Sequence, residues 1–283
     1  MRTVTIVGTG LIGASFGLAL RRAGFSGAIL GVSSPAALAE ALAVGAIDRG
    51  LPLAEAVPQS DLVFLAQAIG RILDTIRHLD PLLGSAGGTL ISDAGSTKCE
   101  IVDTARQCIS RGQFLGGHPM AGKETRGAAS ADAELFRGRT WVLTPDDPTE
   151  METHAAVEFR EWLERIGARV TVLAPEEHDR VVALTSHLQQ LASTALAATL
   201  EEHVPSSEWL AVSGPGAMDM TRLALSSYDL WRDILATNAG PIDEALAAYI
   251  QELEHIRSNL RTRELQWEFT RAAQLAAQLR TKP

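Results

Sequence analysis

Three short segments of this sequence carry side chains suited to moving a proton or a hydride, and each follows a β-rich run. The first is Gly8-Thr9-Gly10-Leu11-Ile12-Gly13, placed between the run Thr3 to Val7 and the helical pattern Ala14 to Arg22. Gly8 permits a tight turn, Gly10 lets backbone approach a pyrophosphate, and Gly13 allows close packing of helix on strand. The N-terminus of that helix offers unpaired N–H groups to the anion, and Leu11 and Ile12 of the loop join the glycines as expected cofactor-binding residues. In that strand-to-helix setting the spacing predicts a dinucleotide site. Which dinucleotide stays open. At the end of the second strand the chain reads Gly31-Val32-Ser33-Ser34-Pro35, without the carboxylate that grips the ribose of NAD. Ser33 and Ser34 can hydrogen-bond a 2′-phosphate, yet no Arg or Lys adjoins them to supply the charge that NADP attracts.

The other two segments are Ser92-Asp93-Ala94-Gly95-Ser96-Thr97-Lys98 and Gly116-Gly117-His118-Pro119-Met120-Ala121-Gly122. Both should emerge at the carboxyl edge of a sheet, where open α/β folds bind ligands. His118 stands among small neighbours that leave room for a substrate, and an imidazole accepts a proton near neutral pH. A lone histidine is often a structural one bonded to main chain, but a cofactor domain needs a base, which favours His118 in that role. Ser96 either caps the helix that starts near Lys98 or gives the site polar support. His178 and His187 line the cleft or pack as structural histidines. Cys99 and Cys108 lie nine apart, a spacing that fits neither a disulfide framework nor a metal site, so both read as reduced thiols and no metal is expected.

These segments need a scaffold, and the first ~170 residues supply its signature: β-rich runs alternating with amphipathic helical patterns, as in a parallel sheet covered on both faces. The strands are placed at Thr3 to Val7, Ala28 to Val32, Leu62 to Leu65, Thr89 to Ser92, Phe114 to Gly117, Thr140 to Leu143 and Arg169 to Val172. After Pro175 long Ala/Leu/Glu/Arg patterns take over, punctuated by Pro205, Pro215 and Pro241. The division expected is an α/β dinucleotide-binding domain over residues 1–173 and an all-helical substrate and dimerisation domain over 174–283. From about Asp243 to Arg280 apolar residues recur at helical spacing, which reads as one long helix in want of a partner and so predicts a homodimer.

With 283 residues, 46% of them hydrophobic, the chain can bury a sizeable core. A formal charge of −9 and the lack of any basic run argue against nucleic acid and anionic membrane as partners. Val181 to Leu200 is uncharged and about long enough to cross a bilayer, but Ser186, His187, Gln189 and Gln190 would sit at its centre, so a helix buried in protein is expected. The N-terminus opens directly into a strand without the pattern of a secretory signal, which points to the cytoplasm.

Taken together, Gly8-x-Gly10-x-x-Gly13, Asp93-x-Gly95-Ser96-x-Lys98, Gly117-His118-Pro119-x-x-Gly122, Ser186-His187-Leu188 and Trp231-Arg232-Asp233 resemble the prephenate/arogenate dehydrogenase family over nearly the whole chain. The resemblance implies a Rossmann domain followed by a helical dimerisation domain, with the active site between them. It implies that His118 bonds the ring hydroxyl of the substrate and takes its proton as hydride leaves for the nicotinamide. Ser96 would orient that histidine, and Arg222 would bind a substrate carboxylate, a task that suits a planar guanidinium. Several prephenate-using relatives carry a second histidine where this chain has Gln190, a neutral residue that can bond a keto group but gives no Coulomb preference for an ammonium. No carboxylate lies between Arg180 and Glu201, so prephenate is favoured over arogenate. Two other readings remain. A hydroxyacid or imine dehydrogenase with a catalytic lysine in the helical half finds only Lys98, Lys123 and Lys282 in the chain. A non-catalytic dinucleotide sensor would bind cofactor and turn over nothing.

Overall fold

The computed structural model describes residues 1–84, 88–204, 206–262 and 264–281; Pro205 and Lys282 lie outside them. The strands are β1 (Thr3–Val7), β2 (Ala28–Val32), β3 (Arg49–Gly50), β4 (Leu62–Leu65), β5 (Leu90–Asp93), β6 (Gln113–Pro119), β7 (Thr140–Thr144) and β8 (Arg169–Val172). They form one sheet in the order β3-β2-β1-β4-β5-β6-β7-β8, so the order reverses between β1 and β4, where a crevice opens at the carboxyl ends. The helices of this half are α1 (Leu11–Arg22), α2 (Pro35–Ala43), α3 (Leu53–Ala56), α4 (Ile69–Leu79), α5 (Cys99–Cys108) and α6 (His154–Arg165).

Strand β4 shows why the sheet carries helices on both faces. Its four residues are fully buried; Leu62 and Phe64 join a core with Phe16, Trp141 and Phe159, while Val63 and Leu65 join a second core with Ile72, Ile76 and Ile101. Alternate side chains point to opposite faces, and both faces are apolar because both are covered. Helix α4 answers with Ile69, Ile72, Leu73 and Ile76, buried at helical spacing.

The expectation of a wholly parallel sheet needs correction at its last two strands, β7 and β8, which run parallel to each other and against the other six. β7 runs antiparallel to β6, pairing Gly117 with Leu143 and His118 with Val142. A parallel partner requires a crossover helix, and between β6 and β7 the only helical piece is the short turn Ala128–Ser130. The two-residue β3 was not foreseen either.

The second half is helical: α7 (Pro175–Val182), α8 (Leu188–His203), α9 (Ser207–Leu210), α10 (Pro215–Thr221), α11 (Tyr228–Thr237), α12 (Ala239–Ser258) and α13 (Gln266–Thr281). The long C-terminal helix expected over 243–280 is broken in two. The Asn259 N–H turns back to the His255 and Ile256 carbonyls and its Nδ2 donates to the His255 carbonyl at 2.9 Å, the local bonding by which asparagine ends a helix. The chain then folds back, bringing His255 Nε2 to 2.9 Å from Glu268 Oε1. The uncharged stretch 181–200 is also less buried than expected within one chain: Gln190 and Ser193 are the buried residues of α8, whereas Val181 and Leu184 are 42% and 53% exposed. No helix of the described residues is long and apolar enough to cross a membrane.

Two carboxylates of the helical half dock it onto the sheet by capping helices there. Asp179 accepts the Lys98 N–H at 2.7 Å and the Cys99 N–H at 2.9 Å at the start of α5, and Asp233 accepts the Gly70 N–H at 3.0 Å at the start of α4. Each such cap contributes about 1 kcal/mol. Ile234, next to Asp233, is buried in the core beneath α4, and Thr97 and Thr237 bond hydroxyl to hydroxyl at 2.7 Å.

Candidate active site

Five helices, α1 to α5, follow the carboxyl ends of parallel strands, and three of them have first N–H groups occupied by side chains. Asp179 caps α5, Asp233 caps α4, and Ser34 Oγ accepts from the Ala37 N–H at 3.4 Å at the head of α2. Helix α1 has Gly10 as its N-cap and no side-chain partner, so its N–H groups are free for an anion. The glycines around it divide by role. Gly8 has φ +95°, and a Cβ on Gly13 would stand 2.1 Å from the Gly8 carbonyl oxygen, so both are demanded by the turn itself. A Cβ on Gly10 meets nothing within 4 Å; the space over it fits a pyrophosphate and serves no packing purpose. The Gly10→Val variant is therefore expected to keep the melting temperature of the parent while its affinity for NAD, followed by fluorescence titration, falls at least about tenfold. Equal affinity would place the dinucleotide elsewhere. Leu11 and Ile12 are half-buried beneath that space. Ser34 Oγ accepts from α2 and keeps its O–H to donate, and Ser33 is exposed just after β2.

His118 lies near the end of β6 and retains 9% exposure. Its Nδ1 is 2.8 Å from His178 Nε2, the two rings meeting edge to face with centroids 5.1 Å apart. His178 Nδ1 is in turn 2.7 Å from Asp179 Oδ1. Burial pushes the Asp179 carboxyl up, but hydrogen bonds from His178 and Cys99 more than offset this and hold it below the usual carboxylate range. An ionised carboxylate only accepts, so His178 donates from Nδ1 and accepts at Nε2, and His118 must donate from Nδ1. The remaining His118 nitrogen, Nε2, then carries a lone pair and has no partner among the described residues. Burial, reinforced by His178, Lys98 and His187, lowers the His118 pKa well below that of an ordinary histidine. The neutral form, the one able to take a proton, therefore persists at neutral pH.

This arrangement corrects the expected place of His178: it is fully buried with both ring nitrogens engaged by His118 and Asp179, which leaves neither for a ligand. Ser96 does not cap α5, whose leading N–H groups go to Asp179; it is half-buried, and its hydroxyl makes no hydrogen bond among the described residues. His187 reaches the same region through one turn of π-helix, Ala183–His187, between α7 and α8. Nine residues of α-helix would set it roughly 180° from His178, and the extra residue of a π-turn reduces this to about 80°. Asn238 Nδ2 ties the two together, donating to the Asp179 carbonyl at 2.9 Å and to His187 Nδ1 at 3.2 Å. With Nδ1 accepting and burial bringing its pKa to about 4, His187 is a neutral ring with Nε2–H as donor.

Gln190 and Arg222 sit on facing segments. Gln190 Nε2 donates to the Leu223 carbonyl at 2.9 Å and to Thr194 Oγ1 at 3.2 Å, and Ser193 Oγ accepts the Ala224 N–H at 3.1 Å, so α8 holds the turn that starts at Arg222. Both N–H groups of the Gln190 amide are thus spent, which overturns the expectation that they bond a substrate keto group. Arg222 is exposed and pairs at 3.1 Å with Glu124 on the loop that follows His118. Among the described residues the lysines offer no nucleophile: Lys98 is enclosed, and Lys123 pairs with Asp132 at 2.9 Å on the surface. Cys99 is equally inert, since burial and the neighbouring Asp179 push its thiol up to about 12. Sequence reasoning missed Asp179, Asp93 and Asn238. The adjacency of His178 and Asp179 was a visible signal for the first, but nothing local pointed to the others.

A sheet with its order reversed beside an open helix N-terminus, and a neutral histidine base at the same edge, define a nicotinamide-dinucleotide-dependent dehydrogenase of Rossmann type. More narrowly, the chain belongs to the prephenate dehydrogenase family. Residues 16–172 match the model of the prephenate dehydrogenase nucleotide-binding domain and residues 174–277 that of the prephenate dehydrogenase dimerization domain. The chain is 34% identical to the prephenate dehydrogenase of Bacillus subtilis over 90% of its own length and 69% of the relative's. Among solved structures it resembles the prephenate dehydrogenase of A. aeolicus in complex with hydroxyphenyl propionate and NAD+, with 28% identity, a TM-score of 0.87 and 98% of each chain covered. It also resembles the arogenate dehydrogenase of Synechocystis, with 28% identity, a TM-score of 0.80 and 99% of each chain covered.

Proposed function

We propose that this enzyme converts prephenate to 4-hydroxyphenylpyruvate by oxidative decarboxylation, in the cytoplasm and as a homodimer, with residues 1–173 binding the dinucleotide and residues 174–283 completing the substrate site. The observation that carries this reading is the chain Asp179–His178–His118, which leaves a lone pair on His118 Nε2 at the edge where the cofactor loop opens. Bound at α1, NAD or NADP supplies the nicotinamide that accepts the hydride. His118 Nε2 takes the proton of the ring hydroxyl as that carbon becomes a carbonyl. The charge that develops on His118 is met by His178 and, behind it, by the Asp179 carboxylate. The Ser96 hydroxyl and His187 Nε2–H complete the polar lining, and Arg222 leaves Glu124 to grip a substrate carboxylate. Loss of carbon dioxide then places the electron pair of the broken bond in the aromatic ring and leaves a phenolate, which takes the proton back from His118 to give the phenol.

The relative solved with hydroxyphenyl propionate supports this reading, since that ligand joins a ring hydroxyl to a carboxylate. The similarity to an arogenate dehydrogenase keeps arogenate as the second substrate to test. The lack of a carboxylate between Arg180 and Glu201 favours the keto acid over the ammonium. The homodimer is supported by the match to a dimerization domain and by the helical half itself, whose own core, among the described residues, has Ala183, Ile242 and Ala245 as its buried members while Leu225, Trp267 and Phe269 stand open. Reduction of NAD and of NADP, followed by absorbance with prephenate and with arogenate, tests the assignment. Faster turnover of prephenate is expected, faster turnover of arogenate would reverse the substrate, and cofactor binding without turnover of either would leave a sensor. Light scattering should give twice the chain mass.

A further inference from the structure

We propose that the buried Asp93–Lys98 ion pair is the positioning device for His118, holding the base in place by gripping both hydrogen-bonding groups of the preceding residue, Gly117. The inference rests on His118 being the base. Lys98 and Asp93 are both 0% exposed. The Lys98 ammonium pairs with Asp93 Oδ2 and donates to the Gly117 carbonyl at 2.8 Å, while Asp93 Oδ1 accepts the Gly117 N–H at 3.0 Å. Asp93 Oδ2 also accepts the Gly95 N–H at 2.7 Å, which closes the loop that carries Ser96.

The sheet explains why such a device is needed. The ladder between β5 and β6 ends at Ser92 and Leu115, yet β6 continues to Pro119. On that side Gly117 has no strand to bond, and an unpaired buried amide and carbonyl would each be costly. The ion pair replaces the missing strand. Gly117 must be glycine for the same reason, because a Cβ there would stand 2.7 Å from the Asp93 carbonyl oxygen.

Stability alone does not call for two charges at this place. Burying an ion pair carries a desolvation cost that apolar side chains of similar volume avoid, and burial indeed lowers the Lys98 pKa against the opposing pull of Asp93. Located one residue before His118, the pair has a function that apolar side chains could not perform. The ammonium is also one of the groups, with His178 and His187, that disfavour protonation of His118, while Asp93 and Asp179 are the anions nearest this cluster.

The test compares Lys98→Met and the doubly neutral D93N/K98M with the parent enzyme. Prephenate oxidation by the parent, lowered about 10²- to 10⁴-fold by His118→Asn, is established first; its failure would refute the base and not the clamp. For Lys98→Met, kcat is expected to fall about 100-fold, as for a base displaced by about an ångström. KM and the dissociation constant for NAD should stay near the parent values, and the acid limb of kcat/KM should move to higher pH once the cation is gone. D93N/K98M leaves no charge unpaired and so keeps the fold, yet it should show the same loss of kcat. A folded double variant with the parent's kcat would overturn the proposal. So would variants whose kcat, KM and NAD affinity deteriorate together, because that pattern marks general loosening of the domain.

Discussion

Substituting His118 by Asn is expected to lower kcat by about 10²- to 10⁴-fold, the contribution of a positioned proton acceptor, while leaving NAD affinity close to that of the parent. The amide cannot take a proton, so the hydroxyl must lose its own to water. The cofactor loop lies on β1 and α1, and its fit depends on Gly8, Gly10 and Gly13 rather than on residue 118. Steady-state rates with prephenate and a titration of NAD fluorescence on the same preparation separate the two effects. Turnover within a few-fold of the parent would remove the base from the mechanism, whereas loss of NAD binding would show residue 118 to be part of the cofactor site.

Asp179→Asn is the second large effect. The carboxylate does two things at once: it accepts His178 Nδ1–H and caps α5 through the Lys98 and Cys99 N–H groups; the main-chain carbonyl of Asp179, which accepts from Asn238, is the same in the variant. An amide at this position turns one acceptor into an NH₂ group facing either the helix N–H groups or His178. Loss of the anion removes the preference for the tautomer that leaves a lone pair on His118 Nε2, and a wrong tautomer behind a histidine base costs about 10²- to 10⁴-fold in kcat. The lost cap should also lower stability by about 0.5–2 kcal/mol. Asp233→Asn provides the control, since it breaks the equivalent cap on α4 without touching the histidines. A comparable fall in melting temperature with kcat retained is expected there. If both variants lost kcat alike, the effect of Asp179 would be one of domain docking.

The sequence revealed most where structure is local. The glycine loop between β1 and α1 was recognisable because the turn, the N–H groups and the packing all act within six residues. His118 stood out because glycines and a proline crowd a histidine at a strand end. The relay behind it was not recognisable: Asp179 meets the Lys98 N–H across 81 residues, and Arg222 meets Glu124 across 98. The five-residue interval from Asp93 to Lys98 could be read as a loop, but not its grip on Gly117, which exists only because the β5–β6 ladder stops short. The π-turn at Ala183–His187 was equally hidden, since regular helical spacing places His178 and His187 on opposite faces. The amide of Gln190 suits a keto group, yet both its N–H groups are consumed by the Leu223 carbonyl and the Thr194 hydroxyl, partners that its sequence neighbourhood does not reveal.

The central claim, that a neutral His118 takes the substrate proton, is tested most directly by the pH dependence of kcat/KM for prephenate. The folded-state pKa of His118 is depressed, so the base form is retained as pH falls through the range where an ordinary histidine would protonate, and activity is lost only below it. The expected profile is level from neutral pH down past about 6.5, followed by a one-proton acid limb that is missing from the residual activity of His118→Asn. A limb at or above the ordinary histidine value, or the same limb persisting in that variant, would contradict the account.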